Sequence, residues 1–327
     1  MSNSILTKKI LYWYDNNKRE LPWRKKIAQS KREYYTLVSE FMLQQTQVVT
    51  VIPYFNTFIK DIPNMSSLAR INESKLLKYW EGLGYYSRVK NLKKTAQIVK
   101  KHFNGRLPST IDELKLLPGV GDYTANAIMA IAFNKPFIPL DGNIERVIKR
   151  LLNLKLANQI AKKNLIKEKK ILGTSIRSSD YAQALMELGA LVCRPKKPLC
   201  KQCPLIKNCK SFKNNDFEII KKTKKKIDKF YLVEVYKKNN QFLLIKNTKF
   251  NFLKNLKIFP MKEISKPDNL AKALNFKMSN MNMYVIIKFT KLKSNILYSS
   301  WIDSSKLNSY TLPTFTKKIF RYLDKIK

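Results

Sequence analysis

The sequence predicts a mainly α protein in two parts, an all-helical domain closed by a cysteine loop and then a smaller α+β domain. Three observations carry this. Apolar residues recur at helical spacing through residues 1–190. The chain's four cysteines, Cys193, Cys200, Cys203 and Cys209, fall together just after that stretch. Beyond residue 229 the apolar period shortens to the alternation of strands. With 327 residues the chain can build two cores.

The elements follow in order. The segment ILTKKILYWYD opens the chain as an amphipathic helix. Helical spacing then runs through Leu37–Ile52, Leu76–Trp80, Leu92–Val99, Ala125–Ala132, Ile144–Leu154 and Tyr181–Leu191. Gly and Pro punctuate the joints at Gly82, Gly84, Pro108, Pro118–Gly121, Pro136, Pro139 and Gly142. Residues 213–229 hold seven Lys against three acidic residues and read as a solvated linker. Phe230–Tyr236 and Gln241–Lys246, joined by KKNN, read as a hairpin. Tyr284–Thr290 and Asn295–Trp301 read as a second strand pair, and Pro313–Lys327 as a closing helix. The predicted domains are therefore 1–212 and 230–327, with the linker between them.

The chain carries 64 Lys+Arg against 23 Asp+Glu, a formal net charge of +41. Such an excess predicts a polyanionic partner, most simply nucleic acid. Lys, Asn and Ile are abundant throughout, so the charge does not locate the interface. The N-terminus lacks the apolar core and small-residue cleavage site of a signal peptide. No apolar run reaches the roughly 18 residues of a membrane span. Clustered cysteines without a secretory signal fit a reducing cytoplasm, and no membrane association is expected.

The cysteine spacing is C-x6-C-x2-C-x5-C. Structural zinc sites usually use two tight knuckles, and this loop has one. The sole histidine, His102, is remote in sequence. Uneven spacing suits a [4Fe–4S] cubane, whose irons each take one thiolate; zinc and disulfides are the alternatives. Pro195, Pro198 and Pro204 favour a wrapped loop. Arg194, Lys196, Lys197, Lys201, Lys207 and Lys210 could offset cluster charge, face a phosphate backbone, or both.

LKLLPGVGDYTANAI (114–128) reads as helix, tight turn, helix. Gly119 and Gly121 permit backbone conformations that a Cβ would penalise, and Asp122 or Thr124 can cap the second helix. Free amides at such a turn form an anion nest, a sequence-independent grip on one DNA strand. Asp141, in FIPLDGNIERVIKRL, precedes another helix, either as a plain cap or as a working carboxylate. Glu40 lies within the apolar helix YYTLVSEFMLQQ. If buried, its pKa rises, which suits a general acid near neutral pH. The alternative is a surface glutamate.

The order of hairpin, Pro-rich loop, Asp and cysteine loop resembles the endonuclease III-like helix-hairpin-helix DNA glycosylase superfamily. Within it the chain resembles A/G-specific adenine glycosylases of the MutY type. LPW (21–23), SEFMLQQTQV (39–48), VIPYF (51–55), WEGLGYYSR (80–88), LPGVGDYTA (117–125) and LDGNIERV (140–147) carry the resemblance. It covers residues 1–210 strongly and the tail weakly.

That resemblance implies that Glu40 protonates adenine and Asp141 stabilises or traps the oxocarbenium-like sugar. Tyr123 and Asn143 would support them by hydrogen bonding. Leu43, Gln44, Gln45, Thr46 and Tyr85 would contact the DNA around the extruded adenine and its partner base. Gly119 and Gly121 would hold phosphates. Cys193, Cys200, Cys203 and Cys209 would ligate one [4Fe–4S] cluster. Tyr123 stands where strand-cutting relatives place a nucleophilic lysine, which implies a monofunctional enzyme. The implied partner is double-stranded DNA carrying A:8-oxoguanine or A:G mispairs, bound by a monomer in the cytoplasm.

The chain departs from the pattern in places. The stretch between Trp23 and Glu40 is longer, and a family Pro-Tyr step reads Glu33–Tyr34. Arg24 resembles an adenine-pocket arginine. The tail resembles a reduced Nudix-like 8-oxoguanine recognition domain without the Nudix catalytic box, and its F-S-H loop reads Phe289-Thr290-Lys291. Two other readings compete: a thymine or damaged-pyrimidine glycosylase, and a non-enzymatic cluster protein that binds DNA. GLGYY argues against the first, and the pair Glu40 and Asp141 against the second.

Overall fold

The computed structural model describes residues 5–154, 165, 167–218, 226–278, 280–292 and 296–326. The chain divides into two compact units, residues 1–71 with 87–222, and residues 72–86 with 223–327.

The regular elements among the described residues of the first unit are all helical. In order they form α1 (Ile5–Asn17), α2 (Gln29–Leu43), α3 (Val48–Asp61) and α4 (Met65–Arg70). After α5 (Glu73–Tyr79), which belongs to the second unit, come α6 (Ser87–His102), α7 (Ile111–Leu116), α8 (Asp122–Ile131) and α9 (Gly142–Leu152). Then come α10 (Ser178–Glu187), a π-helical turn at Leu188–Val192, and α11 (Lys210–Lys213).

The α2 helix is central because its apolar residues Tyr34, Leu37, Val38, Phe41 and Met42 fall three and four apart and are all buried. It packs against α3, α6 and α8. The helical spacing of Leu37–Ile52 is interrupted after Leu43, where Gln45 takes a left-handed conformation (φ 57°) before α3 begins. Glu33, on α2, is buried and paired with Arg106 at 2.5 Å, and it accepts the Leu107 amide at 3.0 Å. A second core joins α1, α9 and α10 through Ile10, Trp13, Ile144, Ile148, Tyr181 and Leu185.

The second unit holds two four-stranded sheets. Its strands are β1 (Ile227–Val235), β2 (Lys237–Lys238), β3 (Gln241–Lys246), β4 (Lys257–Ile258), β5 (Met261–Ile264), β6 (Leu274–Met278), β7 (Met281–Phe289) and β8 (Ser299–Asp303). One sheet runs β5-β1-β7-β6, and in the other β3 pairs with β2, β4 and β8. The last helix, α12 (Thr314–Lys325), buries Phe315, Ile319, Phe320 and Leu323 in the core of this unit. Glu81 accepts the Leu312 amide at 2.9 Å and pairs with Lys317 at 2.8 Å, which ties residues 72–86 to the tail.

Two expected strand pairings are corrected. The hairpin is confined to β2 and β3, turning at Asn239 (φ 52°), while β1 pairs instead with β7 in parallel and β5 antiparallel. The β7 strand takes β6 as its antiparallel neighbour, and β8 pairs with β3. Alternation reveals which residues form strands but not which strands pair. Residues 219–225 of the expected linker and Asn295 lie outside the described residues. Among the described residues no helix is long and apolar enough to cross a membrane.

Candidate active site and cysteine loop

A cleft of about 840 Å³ in the first unit is lined by Arg19, Trp23, Arg24, Thr36, Glu40, Leu43, Gln44, Gln45, Thr46, Tyr123, Asp141, Asn143 and Glu187, among others. It gathers nine of the residues singled out in the sequence, Arg24 among them. No lysine lines it among the described residues.

Glu40 is 4% exposed. Burial pushes its carboxyl up to about 7, helped by the charge of Asp141 and opposed by a hydrogen bond from Tyr123 and by Arg24. The Tyr123 hydroxyl donates to this carboxylate, and burial raises its own pKa well above the usual tyrosine value. Glu40 Oε2 is buried without a protein partner. The side chain is thus a buried acid with one oxygen held and the other free for a ligand, not a surface glutamate.

Asp141 is the N-cap of α9, and it is more than a cap. Its Oδ1 accepts the amides of Asn143 (3.0 Å) and Ile144 (2.7 Å), and Oδ2 accepts Asn143 Nδ2 at 2.8 Å. Burial raises its pKa, while these hydrogen bonds and Arg146 pull it down. Arg146 Nη2 donates to Asn143 Oδ1 and to the Gly189 carbonyl, both at 2.7 Å, and Nε donates to the Cys193 carbonyl at 2.6 Å. A Cβ on Gly189 would come 2.5 Å from Asn143 Cβ, so only glycine lets the π-helical turn approach α9 this closely. The side chain–backbone chain Asp141–Asn143–Arg146–Cys193 joins the cleft to the cysteine loop.

The sequence did not reveal Glu187. It is wholly buried and pairs with Arg19 at 2.8 Å and Arg24 at 2.9 Å. Its only signal was a carboxylate in an apolar helical stretch, the same signal that marked Glu40.

The hairpin forms as expected between α7 and α8. Gly119 adopts φ 81°, and a Cβ there would meet Phe41 Cε1 at 2.9 Å. Two expectations are corrected. Gly121 has an ordinary extended backbone (φ −95°) with open space around it, and it is itself the N-cap of α8. Neither Asp122 nor Thr124 caps the helix; Asp122 pairs with Lys115 at 2.7 Å. A glycine N-cap itself offers no side-chain acceptor to the first turn of α8. Gln44 Nε2 reaches the Gly119 carbonyl and Thr124 Oγ1, both at 3.5 Å, and Thr46 Oγ1 donates to the Gln44 carbonyl at 3.4 Å.

The second unit holds Tyr85, Thr290 and Lys291. Tyr85 is 44% exposed in a left-handed conformation (φ 47°), whereas its neighbour Tyr86 is buried. Just past β7, Thr290 donates its amide to the Val235 carbonyl at 3.0 Å and keeps Oγ1 buried without a hydrogen bond. Lys291 is exposed.

Cys193, Cys200, Cys203 and Cys209 are all free thiols and line one pocket with Arg150, Val192 and Phe217. No disulfide forms. Burial is the first cause raising the pKa of Cys200, Cys203 and Cys209, and it pushes Cys203 up to about 12. Among the described residues no three His, Cys, Asp or Glu side chains are grouped to hold one metal ion. The four free thiols lining one pocket are the side chains that could hold a metal centre, one thiolate to each iron of a cluster. Arg150 braces the loop by donating to the Arg194 (2.7 Å) and Pro195 (2.9 Å) carbonyls, with Nη1 3.6 Å from Cys193 Sγ.

Comparison with known proteins places this architecture. The family described as HhH-GPD superfamily base excision DNA repair protein matches residues 38–169. A solved thermostable thymine-DNA glycosylase superposes with a TM-score of 0.57 at 26% identity, covering 65% of this chain and 97% of its own. Fold and cleft thus define a helix-hairpin-helix DNA glycosylase.

The adenine DNA glycosylase of Buchnera aphidicola subsp. Baizongia pistaciae is 36% identical over 99% of this chain and 98% of its own length. That of Rattus norvegicus is 41% identical over 62% of this chain and 40% of its own. The chain belongs to the adenine DNA glycosylase family.

Proposed function

We propose that this enzyme hydrolyses the N-glycosidic bond of adenine mispaired with 8-oxoguanine or guanine in duplex DNA, and leaves the strand intact. The observation that carries the reading is Glu40, a buried carboxyl with a pKa near 7 and an unpartnered Oε2, in one cleft with Asp141 and Tyr123.

The chemistry follows from the two carboxyls. An adenine extruded from the stack enters the cleft. Protonated Glu40 donates through Oε2 to a ring nitrogen, so the C1′–N9 electron pair departs with a neutral base. The sugar becomes oxocarbenium-like, and ionised Asp141, oriented by Asn143, stabilises the developing positive charge. Water adds at C1′ and gives up a proton to the Glu40 carboxylate, which leaves an abasic site and restores the acid. Strand scission through a Schiff base needs an amine, and Tyr123 occupies the hairpin position with no lysine lining the cleft among the described residues.

The N-terminus of α8, whose glycine N-cap Gly121 brings no capping side chain, and the turn at Gly119 suit phosphate contacts. Leu43, Gln44, Gln45 and Thr46, at the cleft's rim, would fill the space left in the stack, and exposed Tyr85 would stack on bases. The four cysteines would ligate one [4Fe–4S] cluster, whose role is to hold the loop that Arg146 and Arg150 brace. The tail would act as a reduced Nudix-like reader in which Thr290 and Lys291 contact 8-oxoguanine. The enzyme would act as a monomer at the nucleoid.

Single-turnover assays on duplexes with adenine opposite 8-oxoguanine, adenine opposite guanine, and thymine opposite guanine test the reading. Adenine release from the first two, without strand cleavage, is expected. Thymine release instead would overturn it.

A further inference from the structure

Thr36 lies one turn before Glu40 on α2, so the two side chains share a face, and both line the cleft. Thr36 is 2% exposed, and its Oγ1 has no hydrogen-bond partner. A helical threonine commonly returns its hydroxyl to the carbonyl one turn back. This one does not, whereas Ser39 on the same helix does bond the Thr36 carbonyl, at 3.1 Å.

Other buried polar groups of the cleft wall are engaged. Glu187 holds Arg19 through both oxygens, and the Gln183 amide donates to the Ser179 carbonyl at 3.1 Å. Thr36 Oγ1 and Glu40 Oε2 are the cleft's buried side-chain oxygens without a partner among the described residues. A buried hydroxyl left unpaired is costly unless a ligand completes it.

We propose that Thr36 reads the base: its Oγ1 accepts a hydrogen bond from the exocyclic amine of the extruded adenine, while Glu40 Oε2 serves the adjacent ring nitrogen. The inference rests on the reading of Glu40 as the acid. A site built to bond a substrate amine rejects the analogue that lacks it, because the buried hydroxyl then goes unpaired. Thr36 is thereby a specificity residue for the amino group.

Single-turnover base release is measured with adenine and with purine, which lacks the amine, each opposite guanine. Thr36→Val is expected to slow adenine release about tenfold and to change purine release by no more than about twofold. Thr36→Ser, which keeps the hydroxyl, is expected to recover most of the loss. Thermal melting checks folding; Val should melt no lower than the parent, because it removes an unpaired hydroxyl, and Thr36→Ala is measured the same way should Val fail to pack. Equal losses on both bases, or none on adenine, would overturn the proposal. Failure of the acid assignment reads differently: Glu40→Gln would then retain turnover, while the adenine-to-purine ratio of the Thr36 variants is still measured.

Discussion

Asn143 donates its amide nitrogen to Asp141 Oδ2 across 2.8 Å while its amide oxygen accepts from Arg146. The two contacts fix which way the amide points, so the donor always faces the carboxylate. Asn143→Ala removes that donor and should slow base release about tenfold or more, with DNA affinity nearly unchanged. Single-turnover kinetics alongside a binding titration checks this; an unaltered rate would remove Asn143 from the machinery.

The raised pKa of Glu40 sets the pH profile. Base release needs the proton on Glu40, so the rate should fall about tenfold per pH unit above about 7. The same shift acts on stability. The folded state keeps this proton where the unfolded chain has lost it, so the contribution is full below the ordinary value of 4.5 and disappears as pH rises through about 7. Glu40→Gln should therefore gain stability relative to the parent between pH 5 and pH 8, by up to about 3 kcal/mol. Paired thermal melts across that range give the sign directly.

Glu33 is buried against Arg106 and the Leu107 amide. Glu33→Ala leaves the buried Leu107 amide unpaired, while half-exposed Arg106 can turn to solvent, and should destabilise the first unit by about 2 kcal/mol. Chemical denaturation checks the magnitude. A change below about 1 kcal/mol would mean the pair is no more than a surface bridge.

The purified protein should be brown, with about four irons and four sulfides per chain. Metal analysis showing one zinc and no iron would assign the cysteines to a different centre.

Much of this was legible in the sequence because it is local. The period of α2, the L-P-G-V-G turn and the crowding of four cysteines are patterns over a few residues. Glu40 could be flagged since a carboxylate among apolar neighbours conflicts with its surroundings. Glu187 carries the same conflict, but its meaning depends on Arg19 and Arg24, which lie more than 160 residues away in sequence. Strand partners failed for a related reason: alternation in β1 says nothing of whether β3 or β7 lies beside it. The attachment of residues 72–86 to the tail rests on Glu81 meeting Lys317 and the Leu312 amide, and no short motif marks it. Glycine permits a strained turn, and sequence alone does not separate that use from the one Gly121 has, an N-cap with no side chain.

The measurement that tests the account most directly is single-turnover adenine release, opposite 8-oxoguanine, by the parent, Glu40→Gln and Asp141→Asn. DNA affinity is measured in parallel. The parent should free adenine and leave the strand uncut, and both variants should bind DNA with near-parent affinity but release no base. Release at the parent rate by either variant would contradict this.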